Sequence, residues 1–183
     1  GIEVDMTLKP ANPGFGYQFQ RTDLPGSPVI KADCDLVTDT ARGTTLVKGD
    51  CKVSTVEHIL AALVGMGVDN CLIELNGPEI PIIDGSSGPF VDIISKTGVL
   101  EQDAAKVWYT IDTNISYFDD VKKVEMTALP AVNYQITTLI DFNSPVLGTQ
   151  HASLKSMKEF QTEIATCRTF CFLHELEMLL DNN

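Results

Sequence analysis

Two residues able to do acid–base and metal chemistry stand side by side in Ser54-Thr55-Val56-Glu57-His58-Ile59-Leu60. A neutral imidazole at His58 would bind a divalent metal, and the neighbouring Glu57 carboxylate would hold a metal-bound water and take its proton. The same heptapeptide has a plainer reading. Ser54-x-x-Glu57 fits a capping box, in which Ser54 caps a helix and Glu57 reaches back to it. An adjacent Glu-His pair supplies one ligand only, so the local pattern leaves both readings open. A second group is Cys167, Cys171 and His174, which fall at i, i+4 and i+7 and would share one face of a helix. A closed zinc site needs a fourth ligand, so small cysteines on a core-facing helix are the favoured account of that spacing. A nucleophilic Cys167 or Cys171 finds no orienting acid. His151 follows a turn segment and has no evident partner, and Asp84, ahead of Gly85-Ser86, reads as a turn or cap residue.

The elements that must hold these residues follow from hydrophobic periodicity. Ile2, Val4, Met6 and Leu8 alternate with Glu3, Asp5, Thr7 and Lys9, the mark of a half-buried strand. Tyr17 and Phe19 share a face of a second strand, and Ile30, Ala32, Cys34 and Leu36 alternate along a third. Residues 44–47 and 51–53 flank Lys48-Gly49-Asp50 as a hairpin. The period then changes to 3.6. Val56, Ile59, Leu60 and Leu63 make a helical stripe that stops near Gly65 and Gly67, which puts Glu57 and His58 on its first turn. Cys71–Leu75 reads as a strand, and residues 90–96 as a helix ending at Gly98. Beyond a boundary near residues 101–105, strands are expected at 107–111, 115–117, 124–128 and 134–142, and helices at 154–165 and 170–180. The pattern predicts an α+β fold of two similar two-layer sheet-plus-helices domains. The first spans residues 1–103, and residues 104–183 are the first part of an incomplete second.

Composition narrows the function classes. With 25 acidic against 13 basic side chains the net charge is −12, a poor match for phosphate backbones, so no nucleic-acid partner is expected. At 44% apolar and 21% charged residues, the chain has material for a real core. Its longest uncharged apolar stretch, residues 59–68, is too short to span a bilayer, and no basic-then-apolar leader is read before the first strand. Five scattered cysteines without a Cys-x-x-Cys pair point to reduced thiols in the cytoplasm. The chain opens on Gly1 inside a strand-like pattern, and is expected to be an internal piece of something longer.

Longer blocks carry a resemblance. Ser54 to Leu63, then Gly67-Val68-Asp69-Asn70, Glu79-Ile80-Pro81-Ile82-Ile83-Asp84-Gly85-Ser86 and Pro89-Phe90-Val91 closely resemble the UDP-3-O-acyl-N-acetylglucosamine deacetylases, zinc amidases of lipid A biosynthesis in Gram-negative bacteria. Leu8-Lys9-Pro10-Ala11, Arg21-Thr22-Asp23-Leu24, Asp141-Phe142-Asn143-x-Pro145 and Arg168-Thr169-Phe170 with Leu176-Glu177 extend it nearly end to end. The resemblance implies two similar α+β domains with the active site between them. It implies that His58 is a Zn2+ ligand and Glu57 the general base. It also implies that Thr169 hydrogen-bonds near the reacting group, that Phe170, Leu173 and Leu176 line the passage for the acyl chain, and that Phe142 packs on the uridine end. Lys122 corresponds, through a looser match, to a phosphate-contacting lysine. The substrate implied is a UDP-linked acylated glucosamine.

The chain also departs from that pattern. The family's zinc is held by His-His-Asp, with the second His and the Asp spaced His-x-x-x-Asp on a later helix and a further catalytic His beyond. The histidines here are His58, His151 and His174, and no His-x-x-x-Asp occurs. The expectation is that this chain alone is inactive and binds zinc weakly or not at all. Leu173-His174-Glu175-Leu176-Glu177 looks most like members fused at the C-terminus to a 3-hydroxyacyl-acyl-carrier-protein dehydratase. The competing reading is a non-catalytic α+β interaction module in which Glu57-His58 only caps a helix.

Overall fold

Alternation and period change produce most of the elements expected of them. The computed structural model describes residues 3–173 and, beyond them, Glu177, Leu180 and Asp181. In chain order the first elements are β1 (Met6–Pro10), β2 (Tyr17–Arg21), β3 (Val29–Lys31), β4 (Val37–Asp39), β5 (Thr45–Lys48), β6 (Cys51–Val53), α1 (Glu57–Gly65), β7 (Cys71–Leu75) and α2 (Gly88–Thr97). β8 (Ile115–Asp119), β9 (Val124–Ala128), β10 (Ile136–Asp141) and β11 (Thr149–Leu154) follow. The class is α+β. The chain divides into two units, Gly1–Glu101 with Phe160–Asn183 in one and Gln102–Glu159 in the other.

The first unit is built on a four-stranded sheet of order β1-β7-β2-β3, with β7 antiparallel to β1 and parallel to β2. A three-stranded antiparallel sheet, β4-β5-β6, continues into α1. The turn between β5 and β6 is tight: Lys48 pairs with Cys51, and Gly49 takes the positive φ of 59° that the reversal requires. Apolar periodicity shows where the core lies. Phe19, Ile30, Ile73 and Leu75 are buried from the larger sheet, Leu46 and Val53 from the smaller one. Ile59, Ala62 and Leu63 of α1 recur at helical spacing, and Phe90, Val91 and Ile94 of α2 do the same. The second unit consists of two antiparallel hairpins, β8-β9 and β10-β11. Among the described residues no helix is long and apolar enough to cross a membrane.

Three expectations are corrected. The third strand does not run through Leu36: it stops at Lys31, and Cys34–Leu36 is a 3-10 turn capped by the Asp33 carboxylate, which accepts the Asp35 N–H. A short-range Asx bond competes with the ladder here and wins. Residues 107–111 form no strand, and Val107 and Tyr109 are each 94% exposed; apolar alternation without a pairing edge leaves the segment unpaired. The α-helix expected over 154–165 is replaced by β11, a 3-10 turn at Met157–Glu159 and one wide turn at Phe160–Ile164, closed by Ala165 N–H on Phe160 C=O at 2.8 Å. The cause is local packing. Phe160 is buried and its ring lies against Gly65 of α1, where any Cβ would overlap it.

One buried charge ties the two sheets of this unit together. Arg21, at the end of β2, is only 6% exposed. Its Nε and Nη2 hold both oxygens of Asp23 at 2.8 and 2.6 Å, and Nη1 donates to Lys52 C=O in β6 at 2.7 Å. These bonds from Arg21 keep the Asp23 carboxyl below the usual carboxylate range. Arg21→Ala is expected to destabilise the chain by about 2 kcal/mol, because Lys52 C=O and Asp23 lose their donors. The pH dependence has a defined sign. A depressed carboxylate stabilises fully above its unfolded value of about 3.9, and that stability is lost as the pH falls through the lower folded value. Urea midpoints from pH 3 to 7 check this: the wild type loses stability at the acid end, and Arg21→Ala shows a shallower acid slope.

Candidate active site

Glu57 and His58 open α1, each half-buried. The capping box is not formed. Val56 holds the N-cap position without any side-chain cap bond, and the Ser54 N–H is spent on Pro78 C=O at 2.9 Å. The reason lies at Thr55, whose φ of 61° turns the chain between β6 and α1. Glu57 instead turns to a distant partner: its Oε2 accepts the Thr44 N–H at 2.8 Å. The carboxylate is therefore anchored at one oxygen by a backbone donor across the loop, while its helix-capping role is vacant.

The turn from Asp84 to Ser87 touches both sides of this arrangement. Ser87 Oγ donates to His58 C=O at 3.0 Å. Gly85 C=O accepts the Thr169 N–H at 2.8 Å. Asp84 shapes the turn, as its position before Gly85-Ser86 suggested: its Oδ1 accepts Ser86 N–H at 3.0 Å and Ser86 Oγ–H at 2.8 Å. Those bonds, with Arg168 3.8 Å away, hold its carboxyl below the ordinary range. Gly85 carries a φ of 78°, and a Cβ there would meet Thr169 Cγ2 at 3.4 Å. One turn thus ties the helix bearing Glu57-His58 to the segment bearing Thr169. Ser87 and Thr44 gave no sign in the sequence, because each acts through a contact with a residue far along the chain.

The other residues singled out from the sequence are placed as follows. Thr169 is exposed, and Phe170 is 58% exposed and edge-on to Phe172, with ring centroids 5.7 Å apart. Leu173 is exposed, while Leu176 lies outside the described residues. Phe142 and Lys122 belong to the second unit. Phe142 is half-buried and its N–H donates to Gly148 C=O at 3.1 Å; Lys122 is exposed in the β8-β9 turn, its N–H on Asp119 Oδ1 at 2.9 Å. A cleft of about 390 Å³ lies between α2 and residues 161–166, lined by Asp84, Asp92, Gln161 and Thr166 among others, and neither Glu57 nor His58 faces it.

As a zinc site, the described residues fall short. His58 offers one imidazole, and structural or catalytic zinc needs at least three protein ligands. Among the described residues the one grouping of three or more metal-type ligand atoms within reach of each other is Asp33, Cys34 and Asp35, which leaves out His58. The one-helix arrangement of Cys167 and Cys171 is also corrected: neither residue is helical, and His174 lies outside the described residues. Cys51 and Cys71 are buried thiols whose pKa values are pushed up by that burial, so they stay protonated.

Comparison with known proteins agrees with the blocks read in the sequence. A bifunctional LpxC/FabZ enzyme of Chlorobaculum tepidum is 47% identical over 180 residues, 98% of this chain and 38% of that protein. A bifunctional LpxC/FabZ enzyme of Bacteroides thetaiotaomicron is 44% identical over 98% of this chain and 39% of its own length. The UDP-3-O-acyl-N-acetylglucosamine deacetylase of Methylococcus capsulatus is 44% identical over all of this chain and 60% of its own length. The chain thus spans about two to three fifths of these relatives. The sequence profile of one family covers residues 1–183 without a break, and the chain accordingly belongs to the UDP-3-O-acyl N-acetylglycosamine deacetylases.

Proposed function

We propose that the protein containing this chain hydrolyses the N-acetyl amide of a UDP-3-O-acylated N-acetylglucosamine, releasing acetate and the free amine, in lipid A biosynthesis. The observation that carries this reading is the state of Glu57: its carboxylate is not a helix cap but is fixed by Thr44 N–H, with the Asp84–Ser87 turn joining its helix to Thr169. In that role Glu57 accepts a proton from the attacking water as oxygen adds to the amide carbonyl, and returns a proton to the nitrogen as the C–N bond breaks. Thr169 hydrogen-bonds beside the reacting group. Phe170, Leu173 and Leu176 receive the acyl chain, Phe142 packs on the uridine, and Lys122 meets the diphosphate. Zn2+ is the proposed cofactor of the whole protein, with His58 as one ligand and the rest supplied from outside the described residues. The non-catalytic alternative gave Glu57 only a capping role, which it does not play.

The domain reading belongs to the same proposal: residues 1–103 form one domain, and residues 104–183 the first part of a second. Isolated two-stranded hairpins are marginal in water. Here β8-β9 leaves Ile115, Tyr117 and Met126 more than half exposed, the condition of a sheet face that lacks its covering layer. Relatives bearing a bifunctional name, together with the Leu173–Glu177 region, support a parent fused to a dehydratase, to be read from its reading frame beyond Asn183. The proposed compartment is the cytoplasm, supported by five free cysteines. The function is tested by incubating the full-length protein with UDP-3-O-acyl-N-acetylglucosamine. Acetate and free amine are expected in equal amounts, and a substrate left intact under zinc-replete conditions would end the proposal.

A further inference from the structure

Glu79 opens the block Glu79-Ile80-Pro81-Ile82-Ile83-Asp84-Gly85-Ser86, five residues ahead of the Asp84–Ser87 turn. Glu79 lies beside the residue that sets the direction of α1. Thr55 is 9% exposed and sits at φ 61°, a left-handed conformation that a β-branched side chain adopts only when its surroundings enforce it. The enforcing contacts are visible. Ser54 bridges to Glu79 in parallel fashion, with Ser54 N–H on Pro78 C=O and Ile80 N–H on Ser54 C=O at 2.9 and 3.0 Å. Thr55 Oγ1 donates to Glu79 Oε1 at 2.8 Å. On the other side of Thr55 lies Gly43, where a Cβ would come within 3.3 Å of Thr55 Oγ1 and 3.2 Å of Glu57 Oε1. The hydroxyl of Thr55 and the free oxygen of Glu57 therefore flank the same backbone, one residue before the Thr44 N–H that holds Glu57 Oε2.

From this geometry we infer that Glu79 and Thr55 are positioning residues for the Glu57 carboxylate: the Thr55–Glu79 hydrogen bond holds the left-handed kink, and the kink aims the first turn of α1 so that Glu57 reaches Thr44 N–H. The inference rests on Glu57 as the base of the proposed hydrolysis. If the bond is removed, Thr55 relaxes toward an ordinary φ, α1 begins in a different direction, and Glu57 leaves its anchor. A sub-ångström displacement of a base lowers turnover while leaving remote substrate contacts, and so KM, in place.

Glu79 is exposed, so its replacement leaves the core untouched. In the full-length protein, Glu79→Ala and Thr55→Val are expected to lower kcat about tenfold with KM within about twofold of wild type, whereas Glu79→Gln and Thr55→Ser, which keep the bond, stay within about threefold. Zinc content should be the same in all. A second measurement does not depend on turnover: the Thr44 amide should exchange its hydrogen at least about fivefold faster in Glu79→Ala and Thr55→Val, and at the wild-type rate in the two conservative variants. Equal losses in Glu79→Ala and Glu79→Gln would overturn the inference, as would a fall in kcat/KM carried by KM, or unchanged Thr44 exchange. Should the wild-type protein prove not to be a deacetylase, the exchange rates alone decide between these outcomes.

Discussion

Glu57→Gln in the full-length protein should lower turnover by about a thousandfold while leaving KM and zinc content as they are. Glutamine is isosteric, and its amide oxygen accepts the Thr44 N–H as the carboxylate does, so the first turn of α1 keeps its place. What disappears is the ability to take a proton from water and hand it to the departing nitrogen. The variant therefore separates chemistry from architecture. An unfolded or zinc-depleted Glu57→Gln protein would show that the side chain is structural, and a fully active one would remove Glu57 from the mechanism.

The second large effect concerns the metal. The 183-residue chain, equilibrated with one equivalent of zinc and then dialysed, is expected to retain far less than one ion per chain and to release no acetate from the substrate. A single imidazole binds zinc weakly, and a bound water reaches a pKa of about 7 only when several protein ligands hold the ion in an open tetrahedral site. Whatever zinc remains should be indifferent to His58→Ala. Elemental analysis giving one tightly held zinc, lost on His58→Ala, would show that this chain completes a site by itself and would contradict the expectation.

The parts of the fold that were legible in the sequence are those whose causes are local. Val56, Ile59, Leu60 and Leu63 announce α1 by spacing, Gly49 announces its hairpin by backbone freedom, and Gly98 the end of α2. β11 is hidden because only Ala152 and Leu154 alternate with its polar residues, too short a run to mark a strand; it exists through its pairing with β10. The site divides in the same way. Glu57 and His58 are conspicuous as residue types, yet the capping box that Ser54 and Glu57 spell out is cancelled by partners elsewhere: Thr44 is 13 residues from Glu57, and Glu79 is 24 residues from Thr55. Pairwise spacing within a heptapeptide carries no information about such donors. The family blocks did better, because a run such as Glu79 to Ser86 keeps together residues whose separate contacts only the fold reveals.

The place of β7 in its sheet also dictates an order of assembly. Met6 to Pro10 and Tyr17 to Arg21 have the same neighbour, Cys71–Leu75, and neither can be paired with it until that strand exists. A ribosome adding about 5–20 residues per second leaves the first two strands waiting for roughly 3–10 s. Between them and their partner lie the β5-β6 hairpin and α1, whose backbone bonds join residues close in sequence. Until β7 is made, the edges of β1 and β2 that it covers have no partner, which makes this pair of strands the stretch of the chain most open to edge-to-edge association.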